Sequence, residues 1–112
     1  MLHRMSPEVT FEQHGGWPGV LGRLTARDDL SDRAAAAAMA EILDGNATPA
    51  QIAGFIVALR MKGETVDELT GLVSAMVDRS TPVVLANPDG VIDLVGTGGD
   101  RSHSINVSTL AA

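Results

Sequence analysis

Two helix-start signatures, Thr48-Pro49-Ala50-Gln51 and Thr65-Val66-Asp67-Glu68, stand so close together that the chain between them has room for one helix and a tight joint. In each, a Thr hydroxyl is placed to accept from the backbone N–H three residues on, and a Gln or Glu is placed to reach back to the Thr N–H. Pro49 suits the first helical position, where a missing N–H costs nothing. Ile52, Phe55, Ile56 and Leu59 follow at helical spacing and predict one apolar face, with Gly63 as the stop. The second of these helices carries Leu69, Leu72, Val73, Met76 and Val77 as its expected core-facing stripe, and Pro82 bars continuation past Ser80.

Upstream, the pattern predicts two more helices. Pro18 with Val20, Leu21 and Leu24 reads as a short one ending near Arg23–Ala26. Ser31 is an N-cap candidate for a helix reaching about Asp44, with Asp32 at the positive end of its dipole and Gly45 as terminator. Its run Ala34–Ala38 either permits another helix to approach closely or simply expresses high helix propensity, and propensity is the plainer account. Residues 1–16 show no period, end in Gly15-Gly16 and read as a loose leader. Residues 17–81 thus read as a helical domain.

Composition narrows what such a bundle can be. The 112 residues include no Cys, which excludes a disulfide framework and any thiolate metal site. Trp17, Phe11 and Phe55 are the only aromatics, so the core is aliphatic. A net charge of −6 supplies no basic stripe for a nucleic-acid backbone. No apolar run approaches the roughly 20 residues of a membrane span, and no signal peptide is evident, so a cytoplasmic location is expected.

After Thr81 the texture changes. Asn87-Pro88-Asp89-Gly90 belongs to a loop-rich connector, and Val91-Ile92-Asp93-Leu94-Val95 is a short β-prone run. A strand of that length needs neighbours in a sheet, and the chain offers no second convincing strand. The predicted fold class is therefore mainly α: an N-terminal helical bundle, then over residues 82–112 the first strand–glycine loop–helix of an α/β domain that is left incomplete.

The chemistry gathers behind that strand. Gly96-Thr97-Gly98-Gly99-Asp100 is followed by Arg101-Ser102-His103-Ser104 and by Ile105-Asn106-Val107-Ser108-Thr109, with a helix expected to open near Ser104–Asn106. Glycines let backbone N–H groups converge on an anion, and a helix N-terminus adds about half a positive charge. Neither common nucleotide motif fits. The P-loop pattern needs a Lys that is absent, and the dinucleotide fingerprint needs a Gly where Arg101 stands. Ser104, Asn106, Ser108 and Thr109 exceed what capping requires, so they are candidate donors to phosphate oxygens. A Ser hydroxyl can also ligate Mg²⁺ brought in by a phosphate. Asp100 is awkward beside bare phosphate but suits sugar hydroxyls or a metal-bound water, which favours a phosphorylated sugar.

Gly96-Thr97-Gly98-Gly99-Asp100 with Asn106-Val107-Ser108-Thr109 resembles the phosphoribosyl-pyrophosphate loop of the anthranilate phosphoribosyltransferases. The likeness extends upstream through Leu59-Arg60-Met61-Lys62-Gly63-Glu64-Thr65 and Gly45-Asn46-Ala47-Thr48-Pro49-Ala50-Gln51 to about Trp17. It covers nearly all of this chain and only the first third or so of the family's length. The resemblance implies transfer of phosphoribosyl to anthranilate with loss of pyrophosphate, assisted by Mg²⁺, in tryptophan biosynthesis. It implies that Gly96 lies between donor and anthranilate, that Gly99, Asp100 and Ser104 contact the donor, and that Asn106, Val107, Ser108 and Thr109 hold the pyrophosphate, with Ser108 also on Mg²⁺. It further implies a homodimer through the N-terminal helices. The Ala34–Ala38 run and the Ile52/Phe55/Leu59 face are the candidates for that contact.

Two positions depart from the family pattern. Arg101 stands where a Gly is usual, and Ser104 replaces Thr while keeping the hydroxyl. His103 sits among polar loop residues and reads as surface. The family's Lys-His-Gly-Asn segment, its anthranilate-contacting Arg and its acidic pair for a second Mg²⁺ have no counterpart in residues 1–112. The 112-residue chain is therefore expected to be catalytically inert by itself. A pyrimidine nucleoside phosphorylase is the nearest enzyme alternative, but its loop carries one more residue between the glycine pairs. From another class, a non-catalytic helical dimerisation module also fits. The sequons Asn46-Ala47-Thr48 and Asn106-Val107-Ser108 are chance matches.

Overall fold

The computed structural model describes residues 10–96 and 107–111. They hold a 3-10 turn over Phe11–His14 and helices α1 (Gly16–Thr25), α2 (Asp32–Leu43), α3 (Pro49–Lys62), α4 (Val66–Asp78) and the short α5 (Val107–Ala111). No strand occurs among the described residues. The chain divides into two units, residues 1–81 and 82–112.

In the first unit, local hydrogen bonding sets the helix starts. Ser31 Oγ accepts from Ala34 N at 3.1 Å. Thr48 Oγ1 accepts from Gln51 N at 3.2 Å while Gln51 Oε1 accepts from Thr48 N at 2.9 Å. Thr65 and Glu68 repeat the reciprocal pair at 3.2 and 2.8 Å. Both capping boxes therefore form as the residue types require. Helix α1 ends differently, on Arg27 in the left-handed region at φ 65°. Arg27 N donates to Leu24 O at 3.0 Å and Asp28 N to Arg23 O at 2.9 Å, the double closure that usually employs glycine.

The helices pack as α1 on α3 and α2 on α4, with the core between. Trp17, Val20 and Leu24 of α1 meet Leu30, the Ala34/Ala35/Ala38 edge of α2, and Phe55 and Leu59 of α3. Phe11, Trp17 and Phe55 stack edge to face, with centroids 5.2 and 5.9 Å apart. The leader expected over residues 1–16 is thus structured in its second half, because Phe11 packs on this core and Gly15, at φ 84°, makes the turn into α1.

Helices α2 and α4 run parallel, and their contact decides which way α4 faces. Gly71 lies against the α2 backbone: a Cβ there would land on the Asp32 carbonyl and come within 3.0 Å of Ala36 N. Ala75 is buried one turn on. The alanine run therefore serves close helix approach as well as propensity.

Several apolar faces differ from expectation. Of the α4 stripe, only Leu72 packs against the core; Leu69, Val73, Met76 and Val77 are exposed. The cause is that small residues allow the shorter interhelical distance, so α4 turns Glu68, Gly71 and Ala75 inward. On α3, Phe55 and Leu59 are buried, Ile52 is half-buried and Ile56 is exposed. In the second unit, residues 91–96 form no regular element where a strand was predicted, and among the described residues no second strand is there to accept its ladder.

Candidate functional site

Glycine-loop residues Gly99 and Asp100, and Ser104 and Asn106 behind them, lie outside the described residues, as do Arg101 and His103. Gly96, at the start of the loop, is exposed and in no regular element. Val107 and Ser108 open α5, with Val107 exposed and Ser108 half-buried; Thr109 continues its backbone. The first turn of any helix leaves N–H groups without intrahelical partners, and Val107 and Ser108 occupy that turn here. Among the described residues, no group of three or more His, Asp or Glu side chains converges in a way that could hold a metal. An Mg²⁺ ion at Ser108 would therefore find one hard hydroxyl oxygen from the described part of this chain, which suits a cation arriving with its own phosphate ligands.

In the helical unit, a groove of about 290 Å³ opens between α1 and α3, lined by Leu24, Gly54, Val57, Ala58 and Met61 among others. Its walls are mainly apolar, with Thr25, Arg27 and Lys62 at their polar side, and offer no acid–base pair. The polar concentration gathers beside it, at the α3–α4 joint that Lys62 shares with the groove. Glu68 is fully buried, and its carboxylate accepts from Leu30 N at 2.8 Å, Thr65 N at 2.8 Å and Lys62 Nζ at 2.9 Å. Lys62 Nζ also donates to Asp29 Oδ1 and Gly63 O, each at 2.8 Å, with its side chain only 3% exposed. Burial pushes the Glu68 carboxyl up, but the Leu30, Thr65 and Lys62 donors outweigh it and hold it below its ordinary value. For Lys62, burial works downward and the Asp29 and Glu68 carboxylates overcome it, so the ammonium is held above its usual range.

This knot closes on itself. Every charge in it has its partner inside it, and no donor is left pointing at a ligand. The Lys62-Gly63-Glu64-Thr65 stretch that carried part of the family resemblance is, in this fold, the fastening between the α2 entry loop and α4. Sequence reasoning had Glu68 only as a cap; its long-range partner Leu30 has no sequence signature. The small-residue pair Gly71/Ala75 opposite an alanine run was the one legible hint that α4 turns this side inward.

Part of the surface expected to pair two copies is taken up by the chain's own core: Ala34, Ala35 and Ala38 are at most 2% exposed, and Phe55 and Leu59 are buried. Ala36, Ala37 and Ile52 of the same candidate surface are half-buried.

Four helices closed by two capping boxes and a buried ion pair define a helical bundle, and residues 18–80 match the family model described as "Glycosyl transferase family, helical bundle domain". The chain belongs to that family. More particularly, it is similar to curated anthranilate phosphoribosyltransferases. It is 57% identical over 96 residues to that of Nocardioides sp. (strain ATCC BAA-499 / JS614), covering 86% of this chain and 28% of the relative. It is 50% identical over 109 residues to that of Arthrobacter sp. (strain FB24), covering 96% and 30%. With that of Rhizobium meliloti (strain 1021) it shares 53% over 92 residues, covering 82% and 27%. The chain spans under a third of the length of these relatives. No helix among the described residues is long and apolar enough to cross a membrane.

Proposed function

We propose that this chain is the N-terminal part of an anthranilate phosphoribosyltransferase, transferring the phosphoribosyl group of phosphoribosyl pyrophosphate to anthranilate with release of pyrophosphate. The observation that carries the reading is the 57% identity to a protein of that name over 96 residues. It is supported by the order strand-prone run, Gly96-Thr97-Gly98-Gly99-Asp100, then Asn106-Val107-Ser108-Thr109. In this reading residues 82–112 begin the α/β domain, and the run Val91–Val95 pairs as a strand only when the rest of a sheet is present.

Gly96 lies between the two substrates, Gly99, Asp100 and Ser104 hold the ribosyl donor, and Asn106, Val107, Ser108 and Thr109 hold the pyrophosphate. Fixed donors aimed at the leaving group lower the barrier because charge develops there as the bond breaks. Ser108 is the residue that would hold Mg²⁺, whose chemistry when bound is charge neutralisation on the pyrophosphate. No general base is needed from these residues, since positioning an aromatic amine against an electron-poor carbon supplies much of the rate. The enzyme is a homodimer, and the 112-residue chain alone is inert, because it lacks the family's anthranilate-contacting Arg and its acidic metal pair.

A chimera tests this reading. Residues 1–112, joined to the remaining sequence of the Nocardioides relative at the aligned position, are expected to release pyrophosphate from phosphoribosyl pyrophosphate in the presence of anthranilate and Mg²⁺. Ser108→Ala in that chimera is expected to lower turnover about 10²-fold or more, as loss of one oxyanion-type donor does. A folded chimera that is silent with anthranilate, or that phosphorolyses thymidine or uridine, overturns the reading. Turnover by the 112-residue chain alone overturns its stated inertness.

A further inference from the structure

The sequence holds two Asp-Gly steps, Asp44-Gly45 and Asp89-Gly90, and no Asn-Gly. An Asp-Gly step is open to a backbone rearrangement because glycine has no side chain to shield its amide nitrogen. That nitrogen attacks the Asp side-chain Cγ: an N–Cγ bond forms, the Cγ–OH bond breaks, and the amide proton leaves with the hydroxyl as water. The five-membered succinimide then takes up one water. Opening at Cγ restores Asp, whereas opening at the backbone carbonyl leaves isoaspartate, with the main chain running through the former side chain.

We propose that Asp89-Gly90 is a site of spontaneous isoaspartate formation in this chain and that Asp44-Gly45 is protected from it. Exposure does not separate the two, since Asp44 and Asp89 are both exposed. Hydrogen bonding does. Both Asp44 carboxylate oxygens are held by Arg79, at 2.7 and 2.8 Å. The attacking atom is engaged as well: Gly45 N donates to Ile42 O at 3.2 Å, and on either side of it Asp44 N and Asn46 N donate to Ala40 O and Glu41 O, each at 2.9 Å. Ring closure at Asp44 therefore requires the end of α2 to open and the bidentate pair to break first. The same Arg79 hydrogen bonds hold the Asp44 carboxyl below its ordinary value, depleting the neutral acid whose hydroxyl leaves. At Asp89 neither restraint is present. Its turn is closed by Val91 N donating to Pro88 O at 3.3 Å, which leaves Gly90 N outside the closure, and Asn87 Oδ1 accepts from Asp89 N instead. Among the described residues nothing bonds to Gly90 N or to the Asp89 carboxylate. Isoaspartate here lengthens the main chain by one bond immediately before Val91–Val95, and it forms whether or not the transferase reading holds.

Holding the 112-residue chain for weeks at mildly acidic and at neutral pH, then mapping its peptides by mass spectrometry, tests this. Endoproteinase Asp-N cuts before Asp and not before isoaspartate, so resistance to cleavage measures conversion at each step. The folded chain is expected to lose the cut at Asp89 at least ~10-fold faster than the cut at Asp44, because attack that must wait for local opening is slowed by that opening. In urea the two steps should convert at comparable rates, since the reacting dipeptide is the same. Arg79→Ala should speed conversion at Asp44 several-fold and leave Asp89 unchanged. Faster conversion at Asp44 in the folded chain, a difference that persists undiminished in urea, or an Asp44 rate indifferent to Arg79→Ala each overturns the proposal. So does an Asp89 that stays intact in the folded chain while it converts in urea.

Discussion

Lys62 and Glu68 meet across the α3–α4 joint at 2.9 Å, with side chains 3% and 0% exposed. Two residues so polar reach such burial because each charge is matched and each remaining hydrogen-bonding atom is used. Lys62 closes the end of α3, Glu68 opens α4, and through Leu30 N and Asp29 they also bind the entry to α2. One ion pair thereby joins three segments. At the far end of the parallel pair, Arg79 Nε and Nη2 donate to Asp44 Oδ1 and Oδ2 at 2.7 and 2.8 Å, so α2 and α4 are tied at both ends.

Removing the Glu68 carboxylate should therefore cost more than a surface pair would. Glu68→Ala leaves Leu30 N, Thr65 N and a buried Lys62 ammonium short of an acceptor, and the expected loss is about 3–5 kcal/mol. Urea unfolding followed by circular dichroism measures it. Arg79→Ala, at the exposed end of the same helix pair, should cost much less, in keeping with surface ion pairs.

Two glycines should respond to alanine with opposite signs. Gly71→Ala places a methyl on the Asp32 carbonyl and 2.8 Å from its carbon, which forces α2 and α4 apart and should cost at least about 1–3 kcal/mol. Gly22→Ala, in α1 with nothing within 4 Å of the added methyl, should stabilise by roughly 0.5–1 kcal/mol through helix propensity alone. Thermal melts of the two variants separate the effects.

Arg27 closes α1 in a conformation that costs a side-chain-bearing residue roughly 1–2 kcal/mol. Arg27→Gly relieves that cost while adding freedom to the unfolded chain, so a net gain of about 0.5–1 kcal/mol is expected. A lower melting temperature for this variant would show that the Arg27 side chain contributes packing that outweighs the strain.

Stability should fall on both sides of neutrality, for reasons that can be signed. Glu68 is held below its ordinary 4.5 and Asp44, by its hydrogen bonds with Arg79, below 3.8. Above those ordinary values both contributions are fully present. As pH drops past them the unfolded chain takes up protons that the folded chain refuses, and stability declines until the folded groups protonate. Lys62 is held above 10.5, so its contribution is complete below that value and is lost as pH rises through the raised pKa. Urea midpoints should be flat through neutrality, with an acid limb setting in near 4.5; Glu68→Gln should shrink that limb.

Much of the helical unit is readable from local chemistry. Ser31, Thr48 and Thr65 mark helix starts because a capping hydrogen bond spans only three residues, and Gly45 and Gly63 end helices because each adopts a positive φ at that point. The proposal of an anion site over the glycine loop and the Asn106–Thr109 stretch rests on residue type and spacing.

What sequence by itself determined was therefore where the helices of the first unit begin and end. Only tertiary structure decided which side of α4 is inside. Periodicity favoured Leu69, Val73 and Met76, but hydrophobic stripes compete with interhelical distance. Gly71 and Ala75 let α4 sit directly on the Ala34–Ala38 edge, with Glu68 drawn in by Lys62 and Leu30 N. Those partners lie on other segments, so no local window contains them. Leu69, Val73 and Met76 were left facing outward.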